Sequence, residues 1–181
     1  MKTIAPTDTI STIAKPIPET AQVPNGDSLL KVKNILVPID FSECSKKALK
    51  YAVPFAKQFN AGLTLLHVAE FNKPAPGTQN PNSEVLELQM LQGCETSLLD
   101  FAKEEVGDKI ACEVVVWKGK AVPDIIAAAK SRHIDLIIIS THGQASVKHS
   151  LLGSTTERVV RHAPCPVLVV RENEHEFIPE S

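Results

Sequence analysis

The sequence predicts an α/β fold in which helices cover both faces of a parallel sheet. From Asn34 onward, short apolar runs rich in β-branched residues alternate with stretches whose apolar residues recur at helical spacing. Before Lys31 no apolar period is sustained and prolines recur. The folded domain is therefore expected over 32–171, between a flexible Pro- and Thr-rich tail at 1–31 and a short C-terminal tail at 172–181.

Each element follows from its own pattern. The strands are predicted at 35–39, 63–68, 112–117, 135–140 and 166–170, and the helices at 42–59, 83–106, from about 123, and at 154–162. Ala48, Ala52 and Ala56 mark the buried stripe of the first helix. Ser154 followed by Glu157 has the spacing of a capping box, which predicts that the last helix opens there.

Composition excludes several classes of partner. The chain has 181 residues, a formal net charge of -2 and a sequence pI of about 6.3, so no basic surface for nucleic acid is expected. No apolar run approaches the roughly 20 residues of a membrane span, and the N-terminus lacks a secretory signal. We therefore expect a cytoplasmic protein without membrane contact. The cysteines lack C-x-x-C spacing and are expected to be reduced, mostly buried thiols: Cys44, Cys94, Cys112 and Cys165.

A loop of small residues joins the fourth strand to the last helix. It reads Ser-Thr-His-Gly over 140–143, then nine residues, then Gly-Ser-Thr-Thr over 153–156. Such a loop leaves backbone N–H groups free to face an anion, and the start of the helix adds unpaired donors and the positive end of its dipole. The sequence therefore predicts a phosphate site that needs no dedicated lysine.

Asp40 directly follows the first strand. In an open parallel sheet the ligand crevice lies at the carboxyl ends of the strands, so Asp40 faces the same crevice as the loop if the first and fourth strands are neighbours. Its carboxylate can accept hydrogen bonds from ribose hydroxyls. Equally, Asp40 and Glu43 fit a capping box for the next helix, and the sequence leaves both roles open.

Five motifs occur in order along the domain. They are Asn-Ile-Leu-Val-Pro-Ile-Asp-Phe-Ser at 34–42, Leu-Leu-His-Val at 65–68, Ser-Thr-His-Gly at 140–143, Leu-Leu-Gly-Ser at 151–154 and Arg-His-Ala-Pro-Cys-Pro-Val-Leu-Val-Val at 161–170. Together they resemble the universal stress protein family. The resemblance implies a Rossmann-like sheet of five parallel strands in the order 3-2-1-4-5, of the adenine nucleotide alpha hydrolase-like type. It also implies a homodimer, paired here through the last strand from Val167 to Val170.

ATP-binding members of that family carry the pattern G-x2-G-x9-G-[ST]. Here Ser140 stands at the first glycine, while Gly143, the spacing and the Gly153-Ser154 pair are retained. A serine hinders positive φ and narrows the approach to a ligand, which predicts weaker binding. If the position needs no positive φ, the serine hydroxyl can instead contact the ribose or a phosphate.

The resemblance implies a site for ATP, with any Mg²⁺ held mainly through the nucleotide. It implies that the adenine and ribose side is lined by Ile39, Asp40 and Leu63. The border of the ribose and phosphates is formed by Ile139, Ser140, His142 and Gly143. The donors to the phosphates are Gly153, Ser154, Thr155 and Thr156. His142 fits a phosphate donor and a local hydrogen-bond partner equally well, whereas His67 is expected to be a satisfied core histidine.

The implied function is that of a nucleotide-responsive stress or regulatory protein. The chain has neither the Walker pattern G-x4-G-K-[ST] nor the motif set of protein kinases, so fast phosphoryl transfer is not expected. The alternative is a dimeric interaction scaffold that uses no nucleotide, like the non-binding branch of the family.

Overall fold

The computed structural model describes residues 30–71, 83–107, 110–143 and 152–172. They form five parallel strands and four helices: β1 Asn34–Pro38, α1 Glu43–Phe59, β2 Gly62–Ala69, α2 Ser83–Glu105, β3 Cys112–Lys118, α3 Ala121–Ser131, β4 Leu136–Ser140, α4 Ser154–His162 and β5 Val167–Val170. Nearly all of both predicted tails, and eight of the nine residues between Gly143 and Gly153, lie outside these ranges.

The sheet order is β3-β2-β1-β4-β5, as expected. Alternate residues of the strands point to opposite faces, and each face buries its own apolar core. Ile35 and Val37 pack with residues of α1 and α2, whereas Leu36 packs with residues of α3 and α4. Helices therefore cover both faces, and the predicted fold class is confirmed.

Local chemistry sets the ends of α1. Ser42 is the N-cap, with its hydroxyl oxygen accepting from the Ser45 N–H at 3.2 Å. Asn60 adopts the left-handed conformation at φ 53 and ends the helix, a role that suits asparagine. In the part of the chain that the structure describes, no helix is long and apolar enough to cross a membrane.

Two sequence-based expectations need correction. The N-cap of α4 is Gly153, one residue before the predicted Ser154, and Glu157 pairs with Arg161 at 2.9 Å. The cap shifts because the Gly153 N–H is already bound to the Thr141 carbonyl in extended backbone that leads into the helix. The four cysteines are free, but they are partly exposed and not fully buried.

Candidate functional site

A cleft opens where β1 and β4 separate at their carboxyl ends. These two strands pair over only two residues of each, Ile35 with Leu136 and Leu36 with Ile137. Pro38, at the end of β1, has no N–H to donate to β4. The resulting cleft of about 730 Å³ lies at the point where the strand order reverses, the usual ligand position in open α/β sheets.

The structure brings ten of the eleven predicted site residues to this cleft. They are Ile39, Asp40, Ile139, Ser140, His142, Gly143, Gly153, Ser154, Thr155 and Thr156. Leu63 is the exception, because it begins the ladder near the amino end of β2 and is buried in the core against α1 and α2. Leu63 is therefore not among the residues that line the described cleft.

The start of α4 presents unpaired backbone donors to the cleft. The Gly153 N–H donates to the Thr141 carbonyl at 2.8 Å, and the first bond inside the helix runs from the Glu157 N–H to the Gly153 carbonyl at 3.0 Å. The N-cap residue Gly153 has no side chain with which to cap this end. The three N–H groups of 154–156 therefore have no hydrogen-bond partner among the described residues. Together with the helix dipole they form a positive surface for an anion.

A side chain at either loop glycine would meet a close neighbour, the movable Asp40 carboxylate at Gly143 and the fixed backbone at Gly153. A Cβ on Gly143 would lie 2.2 Å from Oδ2 of Asp40, and a Cβ on Gly153 would lie 2.9 Å from the Thr141 carbonyl oxygen. Gly153 has φ -65 and ψ 151, which any residue can adopt. Close approach, and not an unusual backbone angle, therefore explains the glycine there.

Asp40 has two connections at the edge of the cleft. Its Oδ1 accepts hydrogen bonds from the N–H of Ser42 at 3.1 Å and from the Ser42 hydroxyl at 2.6 Å. Ser42, and not Asp40, is the N-cap of α1. Asp40 thus orients the capping residue and also lines the cleft beside Gly143.

Ser140 fits its position without strain. It is the last residue of β4, and it is not among the residues with positive φ. Its hydroxyl donates to the His142 carbonyl at 3.0 Å, and its own carbonyl accepts from the Thr156 hydroxyl at 2.7 Å. The conformational objection to serine therefore does not apply. Both hydroxyl protons are therefore bound within the protein, and they tie the end of β4 to the loop and to α4.

The two histidines of the cleft have identified partners. Nδ1 of His142 lies 3.0 Å from the Thr141 hydroxyl, and Nδ1 of His67 lies 2.8 Å from the Ile39 carbonyl oxygen. His67 is thus hydrogen-bonded, as expected, and it is also one of the residues that line the cleft.

The cleft is also lined by residues that were not predicted, from β2, from the position directly after it and from α3: Leu66, His67, Val68, Glu70, Ala121 and Ile125. The length of β2 relative to β1 would have indicated the residues from β2, since β2 extends beyond the end of β1. A parallel strand that outlasts its neighbour exposes the backbone edge of its last residues.

Val68 has such an exposed edge. Along β2, Gly62 and Leu66 bond toward β1, whereas Leu63 and Ala69 bond toward β3. The alternation directs the N–H and C=O of Val68 toward β1, where the ladder has ended. Within the described ranges, neither group has a backbone hydrogen bond on that side. Val68 therefore offers one donor and one acceptor to the cleft.

The charged groups of the cleft are acidic. Asp40 and Glu70 line it, and the described lining residues include no lysine or arginine. Glu70 accepts from the Ala121 N–H at 2.8 Å and so caps α3. No group of three or more His, Cys, Asp or Glu side chains that could hold a metal ion occurs in the described part of the chain. An anion would thus be bound by backbone N–H groups, hydroxyls or His142, and not by a lysine or arginine of the described lining.

Comparison with known proteins agrees with this architecture. Residues 31–171 match the model of the universal stress protein family. Universal stress protein MJ0531 of Methanocaldococcus jannaschii is 33% identical over 156 residues, which cover 84% of this chain and 88% of the relative.

Two solved structures share the fold over most of the chain. The universal stress protein UspA from Lactobacillus plantarum has a TM-score of 0.64 at 30% identity, covering 78% of this chain and 99% of its own. Protein MJ0577 of Methanocaldococcus jannaschii has a TM-score of 0.67 at 27% identity, covering 81% and 100%. Because the family model matches residues 31–171 and the relatives align over most of the chain, this chain belongs to the universal stress protein family.

Proposed function

We propose that this protein binds an adenine nucleotide, ATP, in the cleft and acts as a nucleotide-responsive regulatory protein. The observation that carries the proposal is the set of three unpaired N–H groups of 154–156 in a cleft whose described lining has no lysine or arginine. A phosphate chain on these groups would satisfy donors that the fold leaves open.

The adenine base fits the backbone edge of Val68. Adenine presents an acceptor at N1 and a donor at its 6-amino group, and Val68 presents the complementary N–H and C=O toward the cleft. Ile39 and Ile139, both buried in the cleft wall, supply apolar surface for the ring. Asp40 lies between base and phosphates and would accept from the ribose hydroxyls. Mg²⁺ would be held mainly through the nucleotide's own oxygens.

The cleft suits binding better than turnover. Phosphoryl transfer requires stabilisation of the charge that develops on the transferred group, usually by lysine, arginine or a metal. The described lining offers the helix N-terminus and His142 instead. We therefore propose a binding and switching role, with at most slow hydrolysis or autophosphorylation.

Equilibrium titration tests the nucleotide proposal. Protein purified without added ligand is denatured, and its supernatant is analysed by mass for adenine nucleotides. Nucleotide-free protein is then titrated with ATP, ADP, AMP and GTP in separate experiments. Binding of ATP in preference to GTP is expected. Heat changes absent at millimolar ATP, together with no co-purified nucleotide, would refute the proposal and favour the nucleotide-free scaffold.

A homodimer through β5 is the second part of the proposal. β5 is an edge strand of apolar residues, Val167–Val170. The carbonyls of Pro166 and Val170 accept hydrogen bonds from β4. Because successive residues of a strand direct their backbone groups to opposite sides, the N–H and C=O of Val169 point away from β4. An open apolar edge of this kind is satisfied by pairing with a second copy.

Val169→Pro tests that assembly. Proline removes the outward N–H of Val169 but leaves the bonds to β4 intact, and edge strands tolerate it. The matched control, Val169→Thr, keeps the N–H and the β-branched shape. Light scattering is expected to give a dimer mass for the wild type and for Val169→Thr, and a monomer mass for Val169→Pro. A wild-type mass of one chain at micromolar concentration would contradict the proposal.

A further inference from the structure

The ladder between β1 and β2 stops one step short of Val68. Its last bond runs from the Ile39 N–H to the Leu66 carbonyl at 2.8 Å. In a regular parallel ladder the next bond would join the Val68 N–H to the Ile39 carbonyl. Across the described residues there is no such bond.

An imidazole takes the carbonyl that the ladder would use. Nδ1 of His67 lies 2.8 Å from the Ile39 oxygen. A carbonyl oxygen only accepts, so Nδ1 carries the proton and donates it there. The side chain of His67 thus binds the carbonyl that the Val68 N–H would bind in a continued ladder, and it holds this carbonyl toward the imidazole.

Phe41, two residues after Ile39, leaves the ladder as well. Phe41 would continue the ladder by donating its N–H to the Val68 carbonyl, but it adopts the left-handed conformation at φ 63. Such an angle is unusual for a bulky residue and persists only where its surroundings hold it. The Phe41 ring packs on His67 at 4.7 Å between centroids and on Phe101 of α2 at 6.4 Å. His67 therefore contacts both features that end the ladder.

We propose that His67 is a positioning residue that keeps the backbone edge of Val68 open for the nucleobase. It acts by occupying the Ile39 carbonyl and by packing against Phe41. The open backbone edge of Val68 is a property of the nucleotide-free protein, whereas the use of that edge to select a base rests on the proposed nucleotide function. Through Val68, His67 sets the preference for a base with an acceptor at N1 and a donor at position 6.

Two substitutions of His67 test its hydrogen-bond donor and its aromatic ring separately. His67→Phe keeps an aromatic ring against Phe41 but cannot donate, and His67→Asn places an amide donor near the position of Nδ1. Backbone amide exchange is followed by NMR in nucleotide-free protein. Without the imidazole donor the Val68 N–H is expected to close onto Ile39, so its exchange slows about 5- to 10-fold in His67→Phe. It stays within about twofold of the wild type in His67→Asn. Unchanged Val68 exchange in folded His67→Phe overturns the proposal.

Base selectivity provides the second measurement. ATP and ITP are used because the hypoxanthine of ITP carries a donor at N1 and an acceptor at position 6. His67→Phe is expected to lower ATP affinity about tenfold and leave ITP affinity unchanged, so that the selectivity ratio falls about tenfold. His67→Asn retains the ratio. An unchanged ratio in His67→Phe overturns the role in base selection. If the wild type binds neither nucleotide, the proposed function fails, and the exchange rates alone decide whether His67 holds the edge open.

Discussion

Replacing Ser154 by proline removes one donor from the start of α4 and leaves the helix otherwise intact. Ser154 is the first helical residue, where proline is well tolerated. The preceding Gly153 has φ -65 and ψ 151, the extended backbone that a residue before proline prefers. The Ser154 N–H has no partner among the described residues, so no bond inside the protein is lost. We expect the free energy of unfolding to change by less than about 1 kcal/mol.

The expected loss of ATP affinity follows from the removed hydrogen bond. A hydrogen bond to a charged group contributes about 1.5–3 kcal/mol, and about 1.4 kcal/mol corresponds to a factor of ten. Ser154→Ala is the matched control, because it removes the hydroxyl but keeps the N–H. Relative to Ser154→Ala, Ser154→Pro should therefore bind ATP about 10- to 150-fold more weakly.

Calorimetric titration with ATP and with adenosine checks this expectation. Adenosine has no phosphate, so its affinity should be the same in the Pro and Ala variants of Ser154. Urea unfolding of both variants controls for stability. Equal affinity of the two folded variants for ATP would refute the reasoning, because the phosphates would then not bind the Ser154 N–H.

The remaining predictions concern the loop and a buried thiol. Gly143→Ala places a methyl group 2.2 Å from Oδ2 of Asp40, so displacement of that carboxylate should weaken ATP binding at least about tenfold by titration. Thr156→Val removes the 2.7 Å bond to the Ser140 carbonyl and should lower the free energy of unfolding by about 1–3 kcal/mol in urea. Burial raises the pKa of the Cys112 thiol above 9.0. Its contribution to stability is therefore complete below pH 9.0 and is lost as pH rises through the folded-state pKa; urea unfolding at stepped alkaline pH should show a shallower decline in Cys112→Ala.

Periodicity was sufficient to predict the order of elements, because each element carries its own local signal. Apolar β-branched runs define strands such as Leu136–Ser140, and Ser42 has the chemistry of an N-cap. Boundaries shift by a residue where tertiary bonds decide them. The N-cap of α4 moved to Gly153 because its N–H binds a loop carbonyl that the sequence pattern does not reveal.

The site was predictable where residues follow a strand directly and unpredictable where strand register decides. Ser140 ends β4 and Asp40 lies two residues beyond the end of β1, so parallel pairing alone brings them to one edge. Leu63 and Val68 lie on the same strand, but only Val68 is at its carboxyl end beside the cleft. The choice between them depends on how far β1 extends along β2, and that length is set by Pro38, Ile39 and the turn at Phe41, not by the composition of β2.

Residue type also fails to separate ligand groups from framework groups in the loop. Ser140, Ser154 and Thr156 carry similar hydroxyls, yet the protons of Ser140 and Thr156 are bound to the carbonyls of His142 and Ser140. Each of these bonds ties the end of β4 to the loop or to α4. Because the framework hydroxyls fix where α4 begins, they determine which backbone N–H groups remain unpaired. Two of the cleft hydroxyls therefore position the helix. The N–H donors of 154–156 that remain for an anion belong to the backbone, where a change of side chain other than to proline cannot remove them.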